Sequence, residues 1–453
     1  METVGATAIG WRELLGGGRT RLTAGIVLVE LVAAVQSSVV ASIMPAVARD
    51  LGGVQFYGLV FSAFMLAALA STPTAGRQAD RIGPARPFFT MVGIFTLGTV
   101  LAGLAPSMPL LAAARAVQGW GGGAQYTIAY GVVAKAYPEA GRAKMLALLS
   151  SVWIVPGLVG PGFGSLLATT VGWRWAFFAL VPLIGLALAM TFPALRQMPG
   201  GDASTPRVGF RWPVLLALGT GLLLSGLASA TAIVGIAAAA VGLVILIPAL
   251  SRVLPAGTFA ARRGLPTAVA VGLLSNLAFF IGFFFLPLLL TRVGGRSLFE
   301  AGLAVTLVNL TWTIGSWVQQ RMVGRWSGQT VVAWSCAITV VGAAATISPA
   351  FGAPALVSYA AWGFVGAATG ASFNALYLTA VGTAAAGGEG SAVAALQTVN
   401  RLGISLGTGL AGAAVALSGV RTGLVAAFAL AVVAAGAAGL LSGRLNPRPG
   451  EGP

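Results

Sequence analysis

Charge is what this sequence has least of. Asp, Glu, Lys and Arg make up only 8% of its 453 residues, about a third of the level in soluble domains. So few charges cannot cover a water-facing surface, which argues against a soluble enzyme, a disordered chain or a nucleic-acid-binding domain. Histidine is absent, which removes the usual metal ligand and the usual proton shuttle. A single cysteine, Cys336, argues against a disulfide framework and a Cys-based metal site. Lysine is confined to Lys135 and Lys144. No Gly-x-x-x-x-Gly-Lys-Ser/Thr is present, so an ATP-driven pump has no phosphate-binding loop to use. No nucleophile–base set stands out either. The reading is a chain that is not an enzyme and needs no metal or other cofactor.

Apolar sequence fills the rest. Hydrophobic residues are 57% of the chain and the mean hydropathy is +0.92. A helix needs about 20 apolar residues to cross a bilayer. Fourteen runs meet that, near 22–48, 55–75, 87–105, 108–135, 142–170, 173–193, 212–228, 231–252, 266–291, 299–320, 329–349, 354–382, 391–418 and 421–442. Only Ser229, Ala230 and their neighbours separate the seventh from the eighth, so twelve spans is the alternative. The polar, basic first 21 residues lead straight into a long apolar run, which reads as a retained first span rather than a signal peptide. With the N-terminus in the cytoplasm, 19 of the 26 basic residues fall inside. Five (Arg49, Arg174, Arg292, Arg296, Arg421) fall outside, and Arg115 and Arg401 lie within spans. That asymmetry predicts both termini inside. It also explains the basic pI of about 11.5 without nucleic acid, because the charge faces the anionic inner leaflet.

The chain repeats itself. Met44-Pro45 through Gly52-Gly53 after span one matches Leu286-Pro287 through Gly294-Gly295 after span nine, at offset 242. Arg77 and Arg81 match Arg321 and Arg325 at offset 244. Leu149, Val152, Gly160 and Gly162 match Leu396, Val399, Gly407 and Gly409 at offset 247. Two parallel six-helix bundles follow, residues 1–200 and 259–453, with a two-helix insertion over 201–258. Such duplication is characteristic of secondary transporters, whose site lies between the repeats.

Three motifs give the repeat a family likeness. Gly76-Arg77-Gln78-Ala79-Asp80-Arg81-Ile82-Gly83-Pro84-Ala85-Arg86 joins spans two and three. It resembles the signature loop of the major facilitator superfamily, with Pro84 and Ala85 departing from the usual basic pair. Its second copy has Gly324 in place of the acid. Gly76, Arg77, Asp80, Arg81, Gly83 and Arg86 are its candidate gating residues. In span four, Arg115-Ala116-Val117-Gln118-Gly119-Trp120-Gly121-Gly122-Gly123 looks like the family's fourth-helix motif, whose arginine is tied to proton coupling. In span five, Pro156-Gly157-Leu158-Val159-Gly160-Pro161-Gly162-Phe163-Gly164 resembles the motif associated with antiporters. Pro156 stands where that motif more usually has a glycine; Pro161 removes a helix hydrogen bond and Gly157, Gly160 and Gly164 remove side chains, which suits a bent, closely packed helix. Fourteen spans with an extra central pair resemble the 14-helix drug:proton antiporter branch. That branch usually carries an acid where this chain has Gln36.

Proton coupling therefore needs another carboxylate. Glu30 alone among the ten acids lies well inside a span. It is eight residues past Leu22, roughly 12 Å deep at 1.5 Å per residue, near the middle of a core about 30 Å thick. It shares a helix face with Ala34, Ser37 and Ala41, a stripe that suits a bundle interior. Arg401 is the other buried charge, with three open roles: answering Glu30, binding an anionic group, or structural pairing. By the family analogy, spans 1, 4, 9 and 12 line a cavity. Candidate lining residues are Gln36, Gln125, Trp153, Asn276, Phe280, Asn309, Trp312 and Asn374. Phe283, Phe284 and Phe285 are consecutive, so at least one should face lipid. The resemblance implies a monomeric, proton-coupled exporter of amphipathic small molecules in a bacterial cell membrane. An exporter of lipid or glycolipid and a proton-coupled importer of a metabolite are the alternatives.

Overall fold

In a bilayer core no water is available to backbone N–H and C=O groups, so an apolar chain satisfies them within helices. The computed structural model describes residues 15–16, 19–137, 145, 148–149, 151–152, 154–198, 211–229, 231–322, 325–383 and 389–446. Within them lie fourteen principal helices and no β-strand element. We number them α1 (Arg19–Asp50), α2 (Tyr57–Ile82), α3 (Ala85–Leu104), α4 (Met108–Ala136), α5 (Ile154–Leu167), α6 (Leu180–Gln197), α7 (Arg211–Leu227), α8 (Ala232–Val253), α9 (Leu265–Arg292), α10 (Leu298–Met322), α11 (Gly328–Thr346), α12 (Leu356–Gly382), α13 (Glu389–Ser418) and α14 (Val420–Ser442). Ten of the described segments are long and apolar enough to cross a membrane.

Local chemistry sets the helix ends. Gly52 and Gly53 adopt φ of 64° and 69° after α1, a left-handed turn that suits glycine. α10 begins with a reciprocal cap: the Ser297 amide donates to Glu300 Oε2 at 2.8 Å, and the Glu300 amide to Ser297 Oγ at 3.2 Å. Proline in the first turn of α4 and of α9 occupies positions whose N–H needs no helical partner.

The packing repeats along with the sequence. α2 lies on α4, α3 on α4, α1 on α5 and α6, and α3 on α6. Eight helices later, α10 lies on α12, α11 on α12, α9 on α13 and α14, and α11 on α14. A Cβ on Gly119 would land on the Phe64 carbonyl, and one on Gly123 on Ala68. Their counterparts at offset 247, Gly366 and Gly370, meet Val308 and Trp312, which match Phe64 and Ala68 at offset 244. The two repeats thus cross their helices at the same glycines.

Two equivalent seams join the repeats, α2 with α13 and α10 with α5. In the first, Gly58 sits on the Thr408 carbonyl. In the second, a Cβ on Gly302 would lie 2.8 Å from the Pro161 carbonyl oxygen. At the end of the molecule remote from the termini, one apolar core draws on both repeats, from Val39–Ala48 and Tyr57–Phe61 to Leu277–Leu290 and Ala301–Val308. At the termini end each repeat has its own core, one around Leu22–Val32 and Phe88–Phe95, the other around Ala268–Val271 and Leu396–Val399. The repeats share one core at the remote end and have separate cores at the termini end.

Phe283, Phe284 and Phe285 correct one expectation: all three are buried. α9 packs against α1, α10, α12, α13 and α14. The Tyr57 hydroxyl at the start of α2 donates to the Phe284 carbonyl at 3.0 Å, and Phe61 lies 4.2 Å from the Phe284 ring. A helix enclosed on every side has no lipid face, so consecutive aromatics need not expose one.

α7 and α8 form a hairpin. Gly219 faces Gly242, and Gly226 faces Gly235, the close backbone approach that small residues allow in membranes. α7 rests on α2 and α13.

Candidate functional site

Within the first repeat, α1 and α4 contribute polar groups that meet α2 and α3. Arg115 is buried on α4 and donates through Nη1 to Gln118 Oε1, one turn further along the same face. Gln36 Nε2 on α1 reaches the same oxygen at 3.1 Å, and Gln118 Nε2 donates to Thr99 Oγ1 at 2.8 Å. The guanidinium carbon of Arg115 stands 4.2 Å above the Phe64 ring centroid, close enough for a cation–π contact. Gln118 is the hub of this network. Sequence alone assigns it no role, although its i+3 spacing from Arg115 is the available signal.

Glu30 lies on α1 about 9 Å toward the termini from Gln36 at 1.5 Å per residue, and is 2% exposed. Ala34 and Ala41 on its face are buried and Ser37 is half-buried. Gln125 is buried on α4, and its Oε1 has no hydrogen-bond partner among the described residues.

α9, α10 and α12 contribute rings. Phe279 lies 5.1 Å from Phe280 and 5.0 Å from Trp312, and Trp312 lies 5.6 Å from Phe373. Phe280 also stacks on Phe284 at 5.8 Å, which ties this wall to the remote-end seal. Asn276 bridges helices: its Nδ2 donates to the Gly272 carbonyl at 2.7 Å, and its Oδ1 accepts from Asn400 Nδ2 at 2.8 Å. Asn400 was not among the expected lining residues. Asn374 is half-buried on α12.

The other expected residues fall on the seams. Arg401 Nη1 donates to the Ala68 carbonyl at 2.9 Å and to Thr72 Oγ1, joining α13 to α2. Asn309 Nδ2 donates to the Gly157 carbonyl at 3.3 Å, joining α10 to α5. The span-five motif divides between two faces of α5. Gly157 and Pro161 meet α10, whereas Gly160 and Gly164 meet Ser38 and Val39 of α1. Pro156 is buried at the start of the helix. Beyond α2, Gly83 takes φ of 84°, Arg81 is half-buried and Arg86 exposed. Gly76, Arg77 and Asp80 lie in the last turns of α2 with side chains outside the described set, and Trp153 lies outside the described residues.

Helices repeated in two sets, meeting along two seams and enclosing buried charge, define a multi-pass membrane transporter. The sequence profile of the Major Facilitator Superfamily matches residues 26–408, and the chain belongs to that superfamily. It is 27% identical over 440 residues to a probable multidrug-efflux transporter of Mycobacterium tuberculosis, covering 91% of each chain. It is 32% identical over 164 residues to multidrug resistance protein 3 of Bacillus subtilis. That second match spans 36% of this chain and 32% of the Bacillus protein. Among solved structures, an auto-inhibited POT family peptide transporter superposes with a TM-score of 0.69 at 15% identity, covering 96% of this chain and 99% of that one. A D-xylose–proton symporter superposes with a TM-score of 0.66 at 14% identity, covering 94% and 98%. Both share the fold.

Proposed function

We propose that this protein is a proton-coupled exporter of amphipathic small molecules, working by alternating access in a bacterial cell membrane. The observation that carries the reading is the division of labour between the repeats: amides and a buried arginine on α1 and α4, and a wall of rings on α9, α10 and α12. An amphipathic compound needs both surfaces. The full-length likeness to a probable multidrug-efflux transporter supports the same substrate class. In this reading all fourteen helices span the membrane and both termini are cytoplasmic. Residues 1–200 and 259–453 are the rocking bundles, and 201–258 is the insertion. The structure then represents the inward-facing state, in keeping with a core shared by the bundles at the remote end and separate cores at the termini end. Glu30 is the proton carrier, since an acid buried within a span is the usual element of a proton relay. Its carboxyl takes up a proton from one side and gives it up when one access path replaces the other.

Ethidium efflux from energised cells lacking their own pumps tests this. Uncoupler-sensitive efflux by the wild type that is lost in Glu30→Gln at matched expression supports the proposal. Efflux retained by the mutant removes Glu30 as carrier. Expressed wild type without efflux removes the broad drug range.

A further inference from the structure

The two seams are related by the repeat, yet the insertion covers only one of them. On α13, Leu402, Leu406 and Gly409 face α7. Leu402 joins an apolar cluster with Leu69, Leu216, Leu246 and Ala249, and Leu224 of α7 lies against Gly409. The equivalent positions on α5, at the same repeat offset, are Val155, Val159 and Gly162. Val155 is 59% exposed where Leu402 is 0%, and among the described residues nothing lies within 4 Å of a Cβ on Gly162. The partner helices agree: Leu66 on α2 is 6% exposed, and its counterpart Leu310 on α10 is 40% exposed. Val155, Val159, Phe163 and Leu166 form one exposed stripe on α5. It lies opposite the faces that Gly157 and Pro161 turn to α10 and that Gly160 and Gly164 turn to α1.

We infer that α7 and α8 are a one-sided plug. They seal the α2/α13 seam against the bilayer and leave α5/α10 as the lateral route by which membrane-dissolved substrate reaches the space between the bundles. At the termini end the repeats have separate cores, so beyond one side-chain tie in each seam, Arg401 to α2 and Asn309 to α5, a seam there is sealed by what lies outside it. Outside α2/α13 lies the α7–α8 hairpin, and Arg401 ties that seam from within. Among the described helices no hairpin packs outside α5/α10, which leaves that seam to lipid. The plug itself is suited to the bilayer: Val244 and Ile247 of α8 are exposed, and its hydrogen bonds are internal to its helices. This inference rests on the exporter reading and adds to it a path for the substrate.

Two measurements test it, each in a Cys336→Ser background that removes the one native thiol. The first is labelling by a membrane-permeant maleimide of Val155→Cys on the outer face of α5, beside the α5/α10 seam, and of Ile247→Cys on the outer face of α8. A trimethylammonium diphenylhexatriene dye, which partitions into the bilayer, should slow labelling at 155 and leave 247 unchanged. Equal effects at both sites overturn the inference. The second is efflux kinetics. Val155→Trp should raise the apparent KM for the hexatriene dye about fivefold and leave that for the more hydrophilic ethidium within about twofold, with Ile247→Trp changing neither. If Val155→Trp impairs both dyes equally, the seam moves but admits nothing, and the inference fails while the exporter reading stands. If the wild type exports neither dye, both fall together.

Discussion

Arg115 and Trp362 occupy the same place in the two repeats. They are related by the offset that also relates Gly119 to Gly366 and Gly123 to Gly370. Both side chains are buried. Arg115 is held by Gln118 and by the face of Phe64. Trp362 stacks on Phe279 at 6.2 Å, meets Phe428 edge-on at 5.5 Å, and covers Gly282 of α9. The backbone crossing is therefore set by glycines, and the chemistry at the crossing is free to differ. One repeat uses that freedom for a cation in an amide network, which responds to charge. The other uses it for packed rings, which bind flat apolar groups and do not titrate.

Separating Arg115 from its network breaks the comparison hardest. Gln118→Leu leaves a buried guanidinium without its amide acceptor, a loss of about 1–3 kcal/mol. Arg115→Met added to Gln118→Leu removes the charge as well, and should recover most of the stability in a detergent melting assay while efflux stays lost. A double mutant no more stable than Gln118→Leu would mean that Arg115 draws its support from elsewhere.

The glycine crossings sharpen the other side of the comparison, the part that is the same in both repeats. Gly119→Val and Gly366→Val each push a branched side chain against a backbone carbonyl, at Phe64 and at Val308. Each should cost about 1–3 kcal/mol as overpacking, and the two melting shifts should be alike. A large inequality would show that one bundle yields where the other does not.

Trp312→Ala probes the aromatic wall. It removes ring contacts with Phe279 and Phe373, each worth about 0.5–1.5 kcal/mol beyond area. The apparent KM for ethidium should rise about tenfold while sensitivity to an uncoupler is retained. Loss of that sensitivity would move coupling into the second repeat.

Much of this arrangement was legible in the sequence, and the reasons differ from part to part. The apolar runs correspond to helices because a helix is the way such a run satisfies its backbone in lipid. The repeat offsets of 242 to 247 reappear as shared crossings because glycine spacing and backbone approach are one fact seen twice. Gln118 stayed hidden because one amide in an apolar run carries no periodic signal. The burial of Phe283, Phe284 and Phe285 was missed because enclosure of α9 is a property of its neighbours. The seam under the insertion was also unreadable. α7 and α8 are apolar on nearly every face, so their sequence does not say which face meets protein.

The smallest effect lies at the remote end, where the repeats share one contact and differ in another. Arg174 donates to the Ala105 carbonyl at 3.4 Å, and its repeat counterpart Arg421 donates through Nε to the Ala350 carbonyl at 3.0 Å. Sequence alone reads these arginines as charges on the outer side, yet they tie equivalent turns in both bundles. The first repeat adds Asp50, which accepts from Arg174 at 3.1 Å and from Trp173 Nε1 at 2.9 Å. Its counterpart in the second repeat is Arg292, so a cation stands there where the first repeat has the acid. The Arg174 and Asp50 side chains are 41% and 53% exposed, and solvent screening holds such a pair to about 0–1 kcal/mol. Asp50→Asn should therefore lower the melting temperature only slightly, and less than Arg421→Ala, which takes away the sole guanidinium contact with Ala350 among the described residues. High salt should shrink the Asp50→Asn effect and leave the Arg421→Ala effect in place, because the latter bond is made to a carbonyl rather than a charge. Equal salt sensitivity in the two mutants would mean that the remote end is held by charge in both bundles, and the contrast between the repeats would not extend to their outer turns.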